Sequence, residues 1–167
     1  ACKNDTGENN FYYLEFGVYK GRTINFFSNY VEKIYGFDSF EGLKENWLGT
    51  PAKKGLFNLN KKAPKVKKNV VLVKGWIQDT LKEFLKEKNP KINFVHIDVD
   101  TYETTKFILE NIKPYLNKGT IILFDELYNY AGWDVGEYKA LQEIFKESEY
   151  EYKAFESVGC QVVIRIN

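Results

Sequence analysis

Residues that build disulfide frameworks and zinc sites are scarce in this chain. It contains two cysteines, Cys2 and Cys160, without a CxxC pair or a Cys/His spacing, and a single histidine, His96. The cysteine pattern argues against a disulfide framework or structural zinc and fits a reducing cytosol. One histidine also excludes a multi-histidine metal site.

Long apolar runs and an excess of one charge are missing as well. No stretch approaches the roughly 20 apolar residues of a membrane-spanning helix, and the polar start of the chain does not resemble a secretory signal. The net charge is +1 over 167 residues, so bulk charge supplies no drive toward nucleic acid or an anionic membrane. We therefore expect a cytoplasmic protein with no membrane partner.

Lysine is nevertheless concentrated in one segment. Residues 46–78 contain eight lysines and no acid, whereas residues 125–156 carry nine acids against three lysines. Two prolines interrupt residues 46–69, which we interpret as a lysine-rich surface excursion. Its lysines either contact phosphate or nucleic acid or are simply solvated. Few aromatic residues lie among them for base stacking, which favours the solvated loop and argues against a nucleic-acid partner.

Strand and helix patterns alternate along the rest of the chain. Aromatic and β-branched runs predict seven strands, at residues 11–16, 33–38, 70–74, 93–98, 119–126, 150–155 and 160–166. Apolar spacing predicts helices at residues 23–33, 80–88, 104–116 and 137–146, with a short helix near Leu56 in the excursion. Five strand-then-helix units in series predict an α/β fold in one domain, residues 11–167, after a polar tail at residues 1–10. The expected architecture is a Rossmann-like doubly wound sheet of seven strands, mostly parallel with an antiparallel C-terminal strand.

A glycine loop follows the first predicted strand, where open α/β sheets bind their ligands. Gly17 and Gly21 let the backbone approach a ligand closely. Asp38 ends the second strand 21 residues after Gly17, a spacing at which an acid commonly accepts the hydroxyls of an adenosine ribose. The loop reads GxxxG and not GxGxxG, which disfavours the pyrophosphate of a nicotinamide cofactor. The alternative is that both glycines belong to an ordinary tight turn.

Glu15 ends the first strand just ahead of this glycine loop. A carboxylate there suits a ligand with a cationic end, such as the amino group of S-adenosylmethionine, and repels a pyrophosphate. Alternatively, loop amides satisfy it. Trp47 and Trp76 flank the same edge of the sheet and either contact adenine or an acceptor, or belong to the core.

Four carboxylates end the fourth and fifth strands: Asp98, Asp100, Asp125 and Glu126. Oxygen-only ligands suit Mg²⁺ or Ca²⁺ rather than zinc, and such an ion lowers the pKa of a bound hydroxyl. The alternative is that these acids are solvated or cap the next helix. His96 lies mid-strand, and we interpret it as a buried histidine with a satisfied ring rather than a catalytic base.

Several segments together resemble one enzyme family. The chain is similar to the class I S-adenosylmethionine-dependent methyltransferases and, within them, to the macrocin O-methyltransferase-like family, which methylates sugar hydroxyls of macrolide antibiotics. The similarity covers most of residues 13–145 and is carried, in family order, by LEFGVYKGRTINFF, YGFDSFEGL, VKGWIQDTL, FVHIDVDTYETTKFILE and ILFDELYNYAGWDVGEYKALQEI.

The resemblance implies roles for individual residues. The glycine loop would hold the methionine end of the cofactor, Asp38 its ribose, and Gly75 and Trp76 would border the adenine. The cofactor-binding set it implies is Glu15, Phe16, Gly17, Tyr19, Gly21, Asp38, Ser39, Gly75, Trp76 and Asp98. The implied metal ligands are Asp98, Asp125 and Glu126, so Asp98 would serve both cofactor and metal and is the predicted catalytic residue.

Two departures from the family pattern matter. Glu126 stands where metal-dependent relatives tend to have Asp or Asn, and its extra methylene changes the reach of the ligand. Relatives also usually carry extra N-terminal helices that cover the acceptor site, whereas this chain starts almost at its first predicted strand. We therefore expect the acceptor pocket to be completed by a partner subunit, in a homo-oligomer, or by the lysine-rich excursion.

The resulting prediction is an S-adenosylmethionine-dependent O-methyltransferase that acts on a hydroxyl of a sugar or other small polyol, assisted by Mg²⁺. One alternative interprets Asp98-Val99-Asp100 as the DxD motif of a metal-dependent nucleotide-sugar glycosyltransferase. Another is a catalytically degenerate methyltransferase fold that serves as a binding module.

Overall fold

The computed structural model describes residues 11–167, so the predicted tail and Cys2 lie outside the described residues. The strands are β1 (Phe11–Phe16), β2 (Ile34–Asp38), β3 (Val70–Lys74), β4 (Lys91–Ile97), β5 (Leu116–Phe124), β6 (Tyr150–Phe155) and β7 (Val162–Ile166). The α-helices are α1 (Arg22–Phe27), α2 (Ile77–Lys88), α3 (Tyr102–Ile112) and α4 (Glu137–Ile144).

All seven strands form one sheet in the order β3-β2-β1-β4-β5-β7-β6. Neighbours from β3 to β5 pair in parallel, and β7 pairs antiparallel with both β5 and β6. One strand thus runs against the other six. The predicted Rossmann-like sheet with an antiparallel C-terminal strand is confirmed.

The central strands are buried on both faces because successive residues, which point to opposite faces of the sheet, are mostly apolar. Leu14 and Phe16 belong to the larger core cluster, together with apolar side chains of α2, α3 and α4. Tyr13 belongs to the smaller cluster, together with Ile24 of α1. Helices therefore cover both faces of the sheet, as expected for a parallel sheet.

The prediction of five strand-then-helix units was wrong at β2. Residues 39–69 form turns and irregular structure without a helix, so four strands are followed by an α-helix. Gly42, Gly49 and Gly55 all have positive φ, a conformation that ends a helix. Leu59 and Val66 still anchor the excursion on the smaller core cluster.

The helices of residues 11–167 are not membrane-spanning candidates. None of them is both long enough and apolar enough to cross a bilayer.

Candidate active site

The strand order reverses between β1 and β4, and the main cleft lies at the carboxyl ends of the strands there. Such reversal points are where open α/β sheets bind ligands. The cleft has a volume of about 420 Å³, within the range typical of small-molecule sites. It is lined by residues that follow β1, β2, β3, β4 and β5.

Gly17 brings two loops together at this cleft. Its φ is +88°, and a Cβ added there would lie 1.7 Å from the carbonyl oxygen of Asp98. The Gly17 N–H donates to the Phe37 carbonyl at 3.0 Å, and the Asp98 N–H donates to the Phe16 carbonyl at 2.9 Å. The loops after β1 and β4 thus touch through backbone, which requires glycine at this position.

The Asp38 carboxylate organises the glycine loop. Its Oδ2 accepts hydrogen bonds from the backbone N–H groups of Val18 at 2.9 Å and Tyr19 at 2.7 Å. Its Oδ1 accepts one from the Phe40 N–H at 2.7 Å. Asp38 also lines the cleft. One carboxylate therefore fixes the loop and faces the space that a ligand would occupy.

The lysine-rich excursion contributes one wall of the cleft. Trp47 and Phe57 line it, and the Phe57 ring lies 5.3 Å from the ring of Tyr19 between centroids. Among the predicted site residues, the structure brings these to the cleft: Gly17, Tyr19, Asp38, Ser39, Trp76, Asp98, Asp125 and Glu126.

Four residues of the predicted cofactor set do not line this cleft. Phe16 is buried and stacks on Phe37 with centroids 4.9 Å apart. Gly21 precedes α1 and faces Pro64 of the excursion, and Gly75 turns the chain into α2. The fourth is Glu15. In this structure these four residues therefore do not form part of the cleft surface.

Glu15 is fully buried and is bonded within the protein. Thr23 Oγ1 donates to its Oε1 at 2.9 Å, and its Oε2 shares a hydrogen bond of 3.1 Å with His96 Nδ1. On the other side of the ring, His96 Nε2 lies 3.5 Å from Asp125 Oδ1. The carboxylate predicted to meet the cationic end of a ligand instead begins a Glu15–His96–Asp125 line that runs from the interior of the sheet to the cleft.

Strand register explains this line. Glu15 pairs with His96 across β1 and β4, and His96 pairs with Leu123 across β4 and β5. Asp125 follows Leu123 by two residues and therefore projects toward the same face. The interpretation of His96 as a buried histidine agrees with its position, although its Nε2 makes no hydrogen bond of ordinary geometry within residues 11–167.

The surroundings of the His96 ring shift the pKa values of the groups along this line. Burial disfavours the charged form of His96, but the neighbouring Asp125 and Glu15 carboxyl groups outweigh it and raise its pKa to about 10. Burial also works against the charged form of Asp125, yet the neighbouring His96, Glu126 and Gln161 side chains hold the pKa of Asp125 below its usual value. The imidazole thus lies between two carboxyl groups, and burial raises the pKa of the Glu15 carboxyl above its usual value.

The predicted metal ligands fall into two overlapping groups. Ligand atoms of Asp98, Asp100 and Glu126 lie within 4.8 Å of one another, and so do those of His96, Asp98 and Asp125. Asp98 is shared, while Asp100, which the predicted metal set omitted, joins the all-carboxylate group. Asp100 reaches it from a left-handed backbone, φ +62°, which Asp tolerates better than most residues.

The all-carboxylate group fits a divalent cation. Burial raises the pKa of Asp98 to about 8 and that of Asp100 to about 7, with the charge on Asp125 adding to both. Burial, and then the charge on Glu137, raises the pKa of Glu126. Glu126 Oε2 is buried without a hydrogen-bond partner among the described residues. Clustered carboxylate oxygens of this kind match the ligand preference of Mg²⁺ or Ca²⁺.

Comparison with known proteins identifies the family. A family model described as a methyltransferase domain matches residues 14–127. The chain belongs to the methyltransferase domain family. The prediction of an S-adenosylmethionine-dependent methyltransferase is confirmed, and membership favours it over the glycosyltransferase alternative. No curated protein sequence matches the chain.

Solved structures similar to this methyltransferase include O-methyltransferases. CalS11, described as a calicheamicin methyltransferase, is 27% identical and has a TM-score of 0.77. The match covers 93% of this chain and 72% of the CalS11 chain. The O-methyltransferase NovP is 18% identical and has a TM-score of 0.65, and the match covers 99% of this chain and 76% of the NovP chain. An O-methyltransferase from Bacillus cereus, solved in complex with SAH, is 17% identical and has a TM-score of 0.63. The match covers 92% of this chain and 73% of the Bacillus cereus chain. The last two show a shared fold.

The methyltransferase also contains a buried acid that the sequence patterns did not single out. Glu137, the first residue of α4, is fully buried beside the carboxylate group. Its Oε2 accepts a hydrogen bond from the Glu126 N–H at 3.3 Å, and its Oε1 accepts one from Thr105 Oγ1 at 3.5 Å. Burial, and then the charge on Asp100, raises the pKa of Glu137. No local sequence signal marks this role, since the contacts join α4, α3 and the loop after β5.

We expect Glu137→Ala to lower the free energy of unfolding by about 1–3 kcal/mol, because it leaves the Glu126 N–H unsatisfied and opens a cavity. Glu137→Gln keeps the side-chain shape and a carbonyl acceptor, so it is expected to cost less than about 1 kcal/mol. Urea denaturation of both variants measures the difference. Equal losses in the two variants would contradict the hydrogen-bonding role of the Glu137 side chain.

Proposed function

We propose that this methyltransferase transfers a methyl group from S-adenosylmethionine to a hydroxyl oxygen of a sugar or other small polyol. One observation carries the proposal: a single cleft joins Asp38 and Trp76 to the carboxylate group of Asp98, Asp100 and Glu126. The first pair suits an adenosine, and the carboxylates suit a cation that binds the acceptor oxygen. Donor and acceptor would therefore meet near Asp98.

Similar structures support this acceptor class. One structure of CalS11, 27% identical, is described as a TDP-rhamnose 3'-O-methyltransferase. The resemblance to the macrocin O-methyltransferase-like family indicates the same kind of acceptor. In this proposal the substrate is a small hydroxylated molecule, and the enzyme acts as a sugar O-methyltransferase.

In this proposal the residues of the chain mainly bind and orient. The backbone around Gly17 and Tyr19 holds the methionine end of the cofactor, while Asp38 and Ser39 hold its ribose, and Trp76 borders the adenine. Asp98 lies at the junction of the cofactor and acceptor parts of the cleft. These contacts would place the donor methyl group in line with the acceptor oxygen. Such proximity and orientation lower the barrier to methyl transfer.

The candidate metal site is formed by Asp98, Asp100 and Glu126, with Asp125 beside it. When bound there, Mg²⁺ would lower the pKa of the acceptor hydroxyl. Glu137 holds the backbone that carries Glu126, and His96 with Gln161 holds Asp125. Buried residues thus keep the ligand carboxylates in position before any cation binds.

Calorimetry with S-adenosylhomocysteine, and with UDP as the control, tests the cofactor assignment. We expect S-adenosylhomocysteine to bind and UDP not to bind. Mass spectrometry after incubation with S-adenosylmethionine and a panel of glycosides and sugar nucleotides then detects a product heavier by one methyl group. Binding of UDP alone would favour the glycosyltransferase alternative. Cofactor binding without turnover, together with salt-dependent RNA binding, would favour a binding module.

Mg²⁺ is expected to raise the midpoint of thermal unfolding by about 5–10 °C at saturating concentration, since a ligand at 100 times its Kd adds about 2.7 kcal/mol. The double variant Asp100→Asn/Glu126→Gln removes two carboxylates and is expected to lose this shift. It is also expected to unfold at a higher temperature than the wild type without Mg²⁺, because repulsion is relieved. An unchanged midpoint with both Mg²⁺ and Ca²⁺ would contradict the metal assignment.

A further inference from the structure

His96 directs a buried ring nitrogen toward two acids of the main cleft. The side chain lies in β4 and is fully buried. Its Nε2 makes no hydrogen bond of ordinary geometry within residues 11–167, and ligand atoms of His96, Asp98 and Asp125 all lie within 4.8 Å of one another. Buried polar atoms in proteins are nearly always bonded, so Nε2 calls for a partner from outside the chain.

The spacing of these atoms suits a metal ion better than a hydrogen bond. The most common length of an N–H···O bond is about 2.9–3.0 Å, whereas His96 Nε2 and Asp125 Oδ1 are 3.5 Å apart. Two ligand atoms that each lie about 2.1 Å from one metal ion, at the tetrahedral angle, are roughly 3.4 Å apart. The observed separation therefore matches two neighbouring ligands of one ion.

Glu15 supplies the contact that metal-binding histidines show on their other nitrogen. A ligating imidazole almost always donates that N–H to a carboxylate, a carbonyl or water, which fixes the ring. Here the fully buried Glu15 carboxyl holds Nδ1 at 3.1 Å, and Thr23 holds Glu15 at 2.9 Å. The Phe27 ring packs edge to face on the imidazole with centroids 5.3 Å apart. The ring is thus held with Nε2 toward Asp125.

We propose that His96, Asp98 and Asp125 form a second cation position, which takes a divalent transition-metal ion such as Co²⁺, Mn²⁺ or Zn²⁺ rather than Mg²⁺. Imidazole suits transition metals, whereas Mg²⁺ prefers oxygen ligands. Ligation needs the neutral ring, so the ion displaces a proton from Nε2. Asp98 also belongs to the all-carboxylate group, so the kind of ion decides which position is filled.

An ion at this position would join β4 to the loop after β5. Asp98 and Asp125 both line the cleft, while His96 lies behind them in the sheet. Three protein ligands leave at least one coordination place for a further ligand, which the cleft would supply. The inference concerns metal binding by the chain itself and does not rest on the methyl-transfer reaction.

Co²⁺ binding to the protein, without a histidine tag and without cofactor, tests the inference. His96 is the only histidine of the chain, so a single paramagnetically shifted, solvent-exchangeable imidazole N–H resonance in the proton NMR spectrum reports its ligation. We expect this resonance to reach full intensity at about one equivalent of Co²⁺ and to persist in an about tenfold excess of Mg²⁺. Calorimetry on the same samples gives the affinity.

Substitutions separate the two cation positions. Asp125→Asn, at a partly exposed residue, and His96→Gln each remove one ligand and are expected to weaken Co²⁺ binding at least about tenfold. His96→Gln is also expected to abolish the shifted resonance. The matched control is Asp100→Asn/Glu126→Gln, which leaves all three proposed ligands in place. It is expected to keep the resonance while losing the stabilisation by Mg²⁺.

Three results would overturn the inference. The first is that Co²⁺ does not bind the wild-type protein, or binds without a shifted imidazole resonance. The second is that Asp125→Asn binds Co²⁺ as tightly as the wild type, a result that stands whether or not His96→Gln folds. The third is loss of the resonance in Asp100→Asn/Glu126→Gln, which would assign Co²⁺ to the all-carboxylate group. S-adenosylhomocysteine binding is measured separately, so none of these results decides the proposed function.

Discussion

Gly17→Ala is expected to lower the free energy of unfolding by about 4 kcal/mol or more and to abolish S-adenosylhomocysteine binding. The Cβ would lie 1.7 Å from the Asp98 carbonyl oxygen, at a φ of +88° that alanine rarely adopts. Backbone cannot move aside as a flexible side chain does, so the loops after β1 and β4 must separate. Their separation also displaces Asp98. Urea denaturation and calorimetry measure the two effects.

Gly55→Ala is the matched control for this prediction. Gly55 has nearly the same φ, +86°, but an added Cβ there meets nothing within 4 Å. Its expected cost is only the left-handed backbone penalty, about 1–2 kcal/mol, and cofactor binding should be retained. If both substitutions cost the same, the contact between the two loops is not what makes glycine necessary at position 17.

Asp38→Ala is expected to have the second largest effect. Three backbone N–H groups lose a charged acceptor, and the expected loss of unfolding free energy is about 3 kcal/mol, since water replaces part of each bond. Separately, the free energy of S-adenosylhomocysteine binding is expected to become less favourable by about 1–3 kcal/mol, because a polar group of the ligand is left unsatisfied. Chemical denaturation and calorimetry on the same samples separate stability from affinity.

Asp38→Asn refines this test. Its single amide oxygen can accept from Val18 and Tyr19, but its NH₂ then faces the Phe40 N–H, so about half of the stability loss should remain. Asp79→Ala, an exposed acid in the first turn of α2, controls for removal of a negative charge. Unchanged affinity for S-adenosylhomocysteine in Asp38→Ala would remove Asp38 from the cofactor site.

Local patterns predicted the elements better than their ends. Helical spacing placed α2 three residues late, at 80 rather than Ile77, and extended the first helix to 33 although α1 ends at Phe27. A 3₁₀ turn, Ser28–Tyr30, follows directly. Apolar periodicity reports which face is buried but not where backbone hydrogen bonds stop, so the ends of elements depend on local capping.

The sequence by itself determined the α/β class, the seven strands and the residues that stand at strand ends, because alternating periodicities and glycines act locally. It thereby brought Gly17, Asp38 and Asp98 to one edge of the sheet. Only the tertiary structure decided which of these side chains face the cleft. Glu15 turned inward to His96, and Asp100 joined the carboxylate group. Strand register and close packing set these contacts, and both depend on partners that no local pattern names.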